Sequence, residues 1–338
     1  MDINAVIAKE LGVENWRVDA AVQLLDEGNT VPFIARYRKE KTGTLTDEQL
    51  RDLDERLKYL RNLEERKASV IASIEEQGKL TEDLKKRIEA AETLVAVEDL
   101  YAPYKQKKRT RAMIAKEKGL LPFAQEIMIA GNSFNLSKEA EKYISEEKEV
   151  LTAEDALQGA SDIIAEDISD TAEYRAHIRK LTFEKGSLTA AAKDKDAESV
   201  YENYYEYSEP IAKVAGYKTL ALNRGEKEKF LTVKVEAPAD EIRSYLEKNL
   251  ILSGNTEVNE FLKAAIKDSY DRLLAPAIER DIRNELSENA EDSAITVFGK
   301  NLEQLLMQPP VAGRNVLGWD PAFRTGCKLA VVDATGKV

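Results

Sequence analysis

Cysteine and histidine are almost absent from this 338-residue chain, which contains one of each, Cys327 and His177. One cysteine cannot form an internal disulfide, and the two residues together cannot complete a closed zinc site with four ligands. His177 has no acid–base or nucleophile partner beside it in the sequence, and Cys327 falls in a predicted strand. We therefore exclude disulfide scaffolds and His/Cys metalloenzymes, and we expect neither a metal nor a cofactor.

Turn-forming residues and long apolar runs are also scarce. The chain has 16 glycines and 9 prolines, too few for an all-β sandwich that turns about every 8–12 residues. No run approaches about 18 consecutive apolar residues, and the N-terminus lacks the basic start and apolar stretch of a signal peptide. We expect a soluble, cytoplasmic protein without membrane contacts. The spacing of Gly313, Gly318 and Gly326 fits no phosphate-binding loop, so nucleotide hydrolysis has no support.

Positive charge is in deficit. The 50 basic residues are outnumbered by 62 acidic residues, which gives a formal net charge of -12. Such a surface repels nucleic acid on average. Contact with phosphates would therefore have to come from local clusters of lysine and arginine.

Helical periodicity is abundant, and it predicts a mainly α fold with more than half of the residues in helices. Leu50, Leu53, Leu57 and Leu60 follow a three- and four-residue spacing, and Thr46 with Gln49 has the pattern of a capping box. These features predict a long central helix of about thirty residues. The same leucine spacing is compatible with a coiled-coil dimer, and that alternative stays open.

The other elements are shorter, and we expect helix-turn-helix-like elements among them. Residues 31–39 are predicted to be irregular, residues 230–235 to form an isolated strand, and residues 314–333 to form a β-hairpin. Pro276 should kink or divide the last helix near Ala275. The further predicted helices cover residues 2–11, 15–27, 81–101, 111–129, 152–185, 237–249 and 257–307.

The residue pattern changes near Pro309 and Pro310, from helical spacing to short apolar runs beside turn residues, which suggests two regions. We expect a helical region at 1–310, with sub-boundaries near 105 and 190, followed by the beginning of a second domain at 311–338. A predicted turn at 333–336 precedes Lys337 and Val338, which would open a further strand. Since a two-stranded hairpin is marginally stable alone, we expect this second domain to be incomplete.

Several segments together resemble a known family. They are residues 31–40 (VPFIARYRKE), 98–105 (EDLYAPYK), 109–111 (RTR), 221–226 (ALNRGE) and 316–328 (VLGWDPAFRTGCK). On these segments the chain resembles the N-terminal part of the bacterial Tex family of transcription accessory proteins. The last segment resembles the first strands of that family's YqgF, RNase H-like, domain. The resemblance spans essentially the whole chain.

This resemblance implies a nucleic-acid-associated protein, similar in architecture to the core of a eukaryotic elongation factor. Family members continue through the rest of the RNase H-like domain, helix-hairpin-helix modules and a C-terminal OB-fold domain that binds RNA. We therefore expect this chain to be an N-terminal fragment that binds RNA or DNA weakly and contacts the transcription machinery. Ala322 stands where the family has glycine, so the backbone of that loop is expected to differ.

Two basic groups are candidate nucleic-acid contacts. The first has seven cations and one acid, Glu117, between residues 105 and 118, with Tyr101 and Tyr104 nearby as stacking surfaces. The second surrounds Tyr37. The alternative for the first group is a solvated loop, and the alternative for the second is salt bridges to the acidic helix that follows residue 46. The cations are Lys105, Lys107, Lys108, Arg109, Arg111, Lys116 and Lys118 in the first group and Arg36, Arg38, Lys39 and Lys41 in the second.

Two other motifs favour structural roles. The spacing of Tyr201, Tyr204 and Tyr205 predicts one face of a helix, where packing is commoner than base stacking, and Tyr207 lies close by. The tripeptide at 223–225 (NRG) has the form of a helix end with a left-handed glycine cap.

Two functions remain after this reading. The favoured one is a binding and scaffolding module without enzymatic activity. The alternative is an RNase H-like metal-dependent nuclease or resolvase in the full-length chain, suggested by Asp320. Asp333, the other nearby acid, is predicted at the opposite end of the second strand, too far away to share a metal ion. We therefore predict no catalytic residue in this chain.

Overall fold

The computed structural model describes residues 1–252, 254–309 and 313–338. The predicted mainly α fold is confirmed, because 63% of the chain is helical. The structure divides into two units: unit 1 is Met1–Gly186 with Ala237–Glu279, and unit 2 is Ser187–Glu236 with Arg280–Val338. The sub-boundaries near 105 and 190 and the helix-turn-helix-like elements stay predictions. Pro310 and the boundary predicted at 310–311 lie outside the described residues.

The elements up to residue 186 are helices. In chain order they are α1 (Ile3–Leu11), α2 (Asn15–Asp26), α3 (Val31–Tyr37), α4 (Asp47–Glu76), α5 (Glu82–Ala90), α6 (Leu94–Tyr101), α7 (Arg111–Glu117), α8 (Leu121–Met128), α9 (Leu136–Glu141), α10 (Ala153–Asp170) and α11 (Ala172–Lys185). They are followed by β1 (Ser187–Ala192), β2 (Glu206–Pro210), α12 (Gly216–Lys227), β3 (Leu231–Glu236), α13 (Ala239–Leu250), α14 (Thr256–Asp268), α15 (Ala275–Leu306), β4 (Val316–Pro321) and β5 (Cys327–Val332).

The long helix α4 confirms the prediction in both length and start. It has 30 residues, and the side chains of Thr46 and Gln49 form the predicted capping box. The predicted leucine stripe is buried in the core of unit 1 together with residues of the neighbouring short helices. Because Leu50 and Leu53 are fully buried within one chain, the stripe is not available for a coiled-coil dimer, and that alternative is wrong.

A buried lysine connects α4 to the end of α5. Lys67 is 4% exposed. Its Nζ donates hydrogen bonds to Glu64 Oε1 at 2.8 Å and to the main-chain oxygen of Glu89 at 2.9 Å. Glu89 lies in the last turn of α5, where carbonyl groups lack helical partners. The ammonium group therefore satisfies a helix end as well as a carboxylate.

Several local predictions need correction. Residues 31–37 form α3 rather than an irregular segment, with Pro32 in the first turn, where its missing N–H costs nothing. The helix predicted at 81–101 is two helices, because Thr93 caps a new helix by accepting a hydrogen bond from the Ala96 N–H. The helix predicted at 111–129 is also two helices, because Gly119, at φ +80°, takes the left-handed conformation just after the end of α7.

Pro276 has the predicted effect near Ala275. A π-helical segment, Ser269–Leu274, joins α14 to α15 immediately before the proline. Proline cannot donate a helical hydrogen bond, and its ring clashes with the carbonyl four residues earlier, so the wider turn accommodates it. The fully buried Ser269 anchors this segment through a 2.7 Å hydrogen bond from its Oγ to the Ala165 carbonyl oxygen.

The strand predicted near 230–235 is not isolated. It is β3, an edge of a three-stranded antiparallel sheet with the order β2-β1-β3, in which Ala190 pairs with both Tyr207 and Val233. The three tyrosines predicted on one helical face lie instead around a short turn: Tyr201 precedes a three-residue 3-10 helix, Tyr204 ends it and Tyr205 follows it. Tyr207, close by, belongs to β2.

The predicted hairpin at the end of the chain is present. Strands β4 and β5 pair antiparallel, with Asp320 opposite Lys328 and Val316 opposite Val332. The predicted turn after β5 is formed by Asp333, whose Oδ1 accepts hydrogen bonds from the backbone N–H groups of Thr335 and Lys337. The Thr335 hydroxyl also donates to this oxygen, and its hydrogen bond is the largest cause that lowers the pKa of Asp333; the backbone bonds act in the same direction.

Candidate nucleic-acid interface

The two predicted basic groups lie at opposite ends of α4. The Lys39 carbonyl oxygen accepts a hydrogen bond from the Thr44 N–H at 2.8 Å, which places the first group beside the helix start. Gln77, at the other end, donates through Nε2 to the Tyr104 carbonyl oxygen at 2.9 Å, next to Lys105. A helix of 30 residues is about 45 Å long. The two groups therefore do not form one continuous patch.

The group at the C-terminal end of α4 is largely neutralised. Lys107 Nζ lies 2.6 Å from Asp170 Oδ2 and 3.2 Å from Glu166 Oε1. Four more of the seven cations have acidic partners, so most of the positive charge of this group is compensated, mostly by acids that are distant in sequence. These pairs are Lys105–Glu98 at 3.7 Å, Arg109–Glu117 at 3.2 Å, Lys116–Asp167 at 3.2 Å and Lys118–Glu149 at 3.8 Å.

A cleft of about 630 Å³ lies beside this group. Lys107 and Asp170 both line it, so its surface already contains a paired cation and anion. Burial raises the pKa of Asp170 above its usual range, although the hydrogen bond from Lys107 acts in the opposite direction. A carboxylate next to the lysine makes the cleft a poor phosphate site. Its further polar lining includes Gln77, Lys79, Lys105, Gln106, Lys116, Glu166 and Asp167.

Two cations of this group keep free charges at the surface. Lys108 and Arg111 are exposed, and within residues 1–252, 254–309 and 313–338 neither forms an ion pair. Arg109, whose side chain is 71% exposed, shares its charge with Glu117. Lys108, three residues before α7, and Arg111, its first residue, are therefore the cations of this group that remain candidates for phosphate contact.

The group at the N-terminal end of α4 is more accessible. Arg36 and Lys39 are exposed, and neither has an acidic partner in the described part of the chain. Arg38 is half-buried, with its guanidinium 5.0 Å from the Phe33 ring centroid and its Nη1 donating to the Tyr37 carbonyl oxygen at 3.0 Å. Tyr37 is 65% exposed. Among the residues that the structure describes, these cations form no salt bridge to α4, so the alternative interpretation of this group is wrong.

Trp16 and Arg17, which lie beside this group, were missed by the sequence analysis. Trp16 is 50% exposed, and a Cβ added to Gly43 would lie 2.5 Å from Trp16 Cη2 and 3.0 Å from Arg17 Nε. Gly43 has φ +61° and belongs to the loop between Lys39 and Thr46. Since 26 or more residues separate the two segments in sequence, no local pattern indicated this contact; only the rarity of tryptophan singles out Trp16.

The segment 98–105 is held by structural contacts. Asp99, 4% exposed, accepts hydrogen bonds from Arg175 Nε at 2.6 Å and Arg179 Nη1 at 2.7 Å. Tyr101 Oη lies 3.0 Å from Ser73 Oγ. These contacts join α6 to α11 and α4, so this motif fixes the framework that carries the basic residues.

The segment 221–226 also has structural contacts, but not those expected. Gly225 lies inside α12, not at a cap, and a Cβ there would approach Leu231 Cδ1 to 2.7 Å. The left-handed residue is Lys229, at φ 68°. Arg283 Nη2 donates to Glu226 Oε2 at 2.5 Å and to Asn223 Oδ1 at 3.2 Å. The motif therefore ties α12 to α15.

The residues considered for catalysis remain dispersed. Asp320 and Asp333 are at opposite ends of the hairpin. Asp320 pairs with Lys328, which lies five residues before Asp333, so the two acids are about 16 Å apart along the strand. The exposed Cys327 is in β5, and His177 stacks on Tyr245 with ring centroids 3.8 Å apart. The described residues contain no group of three or more metal-ligating side chains. None of their helices is long and apolar enough to cross a bilayer.

Family models match most of the chain. The Tex-like protein N-terminal domain matches residues 1–75, the Tex central region-like model residues 132–298, and the Tex protein YqgF-like domain residues 314–338.

Curated relatives match along the whole chain. Uncharacterized protein YdcI of Bacillus subtilis is 54% identical over 98% of this chain and 47% of its own length. Transcriptional accessory protein Tex of Neisseria gonorrhoeae is 40% identical over 100% of this chain and 45% of its own length. S1 RNA-binding domain-containing protein 1 of Homo sapiens is 31% identical over 100% of this chain and 35% of its own length. The chain spans about half the length of the bacterial relatives it matches.

Proposed function

Because this chain belongs to the Tex family of transcription accessory proteins, we propose that it is a nucleic-acid-associated scaffold. In this role a helical unit presents a few unpaired cations to the phosphate backbone. The observation that carries the proposal is that Arg36, Lys39, Lys108 and Arg111 are exposed without acidic partners among the described residues, whereas five of the seven cations in the group near α7 are paired.

The relatives support the nucleic-acid part of this proposal. One is named for accessory function in transcription and another for an S1 RNA-binding domain. RNA is therefore the first ligand to test, with DNA beside it, and the transcription machinery is the proposed protein partner. A cytoplasmic location follows from such a role. We propose weak binding for this chain, because its net charge is -12 and few cations are free.

Charge reversal tests the proposal. Lys107 is excluded from the variant, because a glutamate there would face Glu166 and Asp170 and perturb folding. We expect Arg36→Glu/Lys39→Glu and Lys108→Glu/Arg111→Glu each to weaken binding of single-stranded RNA. The affinity of the unchanged protein should fall with salt, with a log–log slope of about −0.7 for each phosphate neutralised.

Lys86→Glu/Lys263→Glu is the matched control, because both lysines are exposed and the net charge changes equally. Equal weakening by this control would show a general charge effect and contradict the assigned cations. Binding insensitive to salt would contradict phosphate contact altogether.

We further propose that this chain itself is not an enzyme. The separation of Asp320 from Asp333 along the hairpin supports this, since a two-metal nuclease needs several carboxylates around ions about 4 Å apart. Asp333 also has a sufficient role as the acceptor in its own turn.

A further inference from the structure

The loop that precedes α4 lies against an exposed indole ring. Trp16 and Arg17 belong to α2, and the close approach of both to Gly43 places them beside residues 39–44. Trp16 Nε1 donates to Glu14 Oε2 at 3.0 Å, which fixes the ring plane from its polar edge. Trp16 as a whole is 50% exposed, and the Arg17 guanidinium lies over its ring, 5.6 Å from the ring centroid. The indole is thus held in place while part of it stays open to solvent.

Cations outnumber acids on the segments around this ring. Arg17, Arg36, Arg38, Lys39 and Lys41 lie on α2, α3 and the loop, whereas the acids there are Glu14, Asp19, Asp26 and Glu40. Asp26 is paired with Arg61, and Asp19 accepts hydrogen bonds from Asn4 and Asn15. Glu14 is engaged by Trp16 and by Arg17, whose Nε lies 3.4 Å from Glu14 Oε2. On a protein with a net charge of -12, this surface is locally cationic, and it combines cations with two exposed aromatic rings, Trp16 and Tyr37.

We propose that Trp16 is a stacking platform for an unpaired base of single-stranded nucleic acid, with Arg36, Lys39 and Lys41 contacting the flanking phosphates. This assignment rests on the proposed function and specifies its site and ligand. Stacking requires a base whose face is free, which a single strand offers and a duplex does not, whereas the phosphate contacts are common to both. RNA and DNA share this chemistry.

Tryptophan fluorescence tests the assignment directly. The chain has two tryptophans, so Trp319→Phe leaves Trp16 as the only reporter. In that background we expect saturable quenching by a single-stranded RNA or DNA dodecamer and much weaker quenching by the matching duplex. The stronger of the two single-strand titrations identifies the preferred sugar, and either one supports the proposal.

Affinity measurements with variants complete the test. Trp16→Ala should weaken single-strand binding about tenfold, Trp16→Phe should retain most of the affinity, and Trp319→Ala should have no effect. Circular dichroism establishes that each variant is folded. If Trp16→Ala binds like the unchanged protein while Arg36→Glu/Lys39→Glu binds weakly, the proposed function stands and the stacking site is wrong. If no single strand binds the unchanged protein, both fail. Equal quenching by polyglutamate would assign the surface to an acidic protein segment and overturn the proposal.

Discussion

Asp170 lies 2.6 Å from the ammonium group of Lys107, yet its pKa is raised. Burial is the largest cause, and the neighbouring Glu166 and Asp167 act in the same direction, so the hydrogen bond from Lys107 only partly compensates. A carboxyl group whose pKa is higher in the folded state binds protons more tightly when folded. Its contribution to stability is therefore present at low pH and lost as the pH rises through the folded-state value.

The first prediction concerns Asp170→Asn. Relative to the unchanged protein, this variant should become more stable as the pH rises from 3 to 7, because asparagine never carries the buried charge. Urea unfolding at both pH values measures the difference. Glu10→Gln is a control of opposite sign, since the hydrogen bond from Arg56 lowers the pKa of Glu10. Its deficit should shrink as the pH falls from 7 to 3. A pH-independent difference for Asp170→Asn would contradict the assigned effect of burial.

The second prediction concerns the buried ion pairs of Asp99. Asp99→Ala leaves Arg175 and Arg179 without this carboxylate in a site where the three side chains are 6% to 17% exposed. We expect a loss of about 3–5 kcal/mol in the free energy of unfolding. Glu173→Gln, which removes the exposed partner of Arg87 on the same helix α11, should cost less than about 1 kcal/mol. Equal losses in urea unfolding would show that burial does not decide the outcome.

The third prediction separates backbone strain from contact. Gly28 and Gly43 both have positive φ, but an added Cβ meets nothing within 4 Å at Gly28 and overlaps Trp16 at Gly43. Gly28→Ala should cost about 1–2 kcal/mol from left-handed strain alone. Gly43→Ala should cost more and should also shift Trp16 emission in the Trp319→Phe background. An unchanged emission spectrum would argue against the indole resting on this loop.

The fourth prediction is the absence of nuclease activity. Purified protein, incubated with single-stranded, duplex and branched substrates in Mg²⁺ or Mn²⁺, should leave them intact, because Asp320 and Asp333 are too far apart to share a metal site. Cleavage that disappears in Asp320→Asn would overturn this assignment and support the nuclease alternative.

Sequence patterns predicted those features of the fold that depend on residues close together in the chain. The capping box of Thr46 and Gln49, the leucine spacing of α4 and the proline at 276 each act within one or two helical turns, and all three were predicted. Strand β1 was missed because Ala190, Ala191 and Ala192 carry no β-branched alternation, and its partners in β3 are 39 or more residues away.

In the candidate site, too, the sequence did not predict contacts between residues that are far apart in the chain. The basic residues near α7 were found, but not their neutralisation, since Glu166 and Asp170 are 59 and 63 residues from Lys107. Trp16 was missed for the same reason, as its neighbour Gly43 lies in another segment. Charge and aromatic composition identify candidates, whereas tertiary contacts decide which of them remain free.

The hydrogen bonds of Lys67 give the protein a chemical reporter of helix docking. A primary amine reacts with acylating reagents through its free lone pair, whereas the ammonium group of the buried Lys67 is held by Glu64 and the end of α5. Acetylation of Lys67 therefore requires α5 to detach from α4, whereas the exposed Lys86 on α5 reacts without any opening. The ratio of the acetylation rates of Lys67 and Lys86, measured by mass spectrometry, would report how often α5 detaches from α4 in the intact protein.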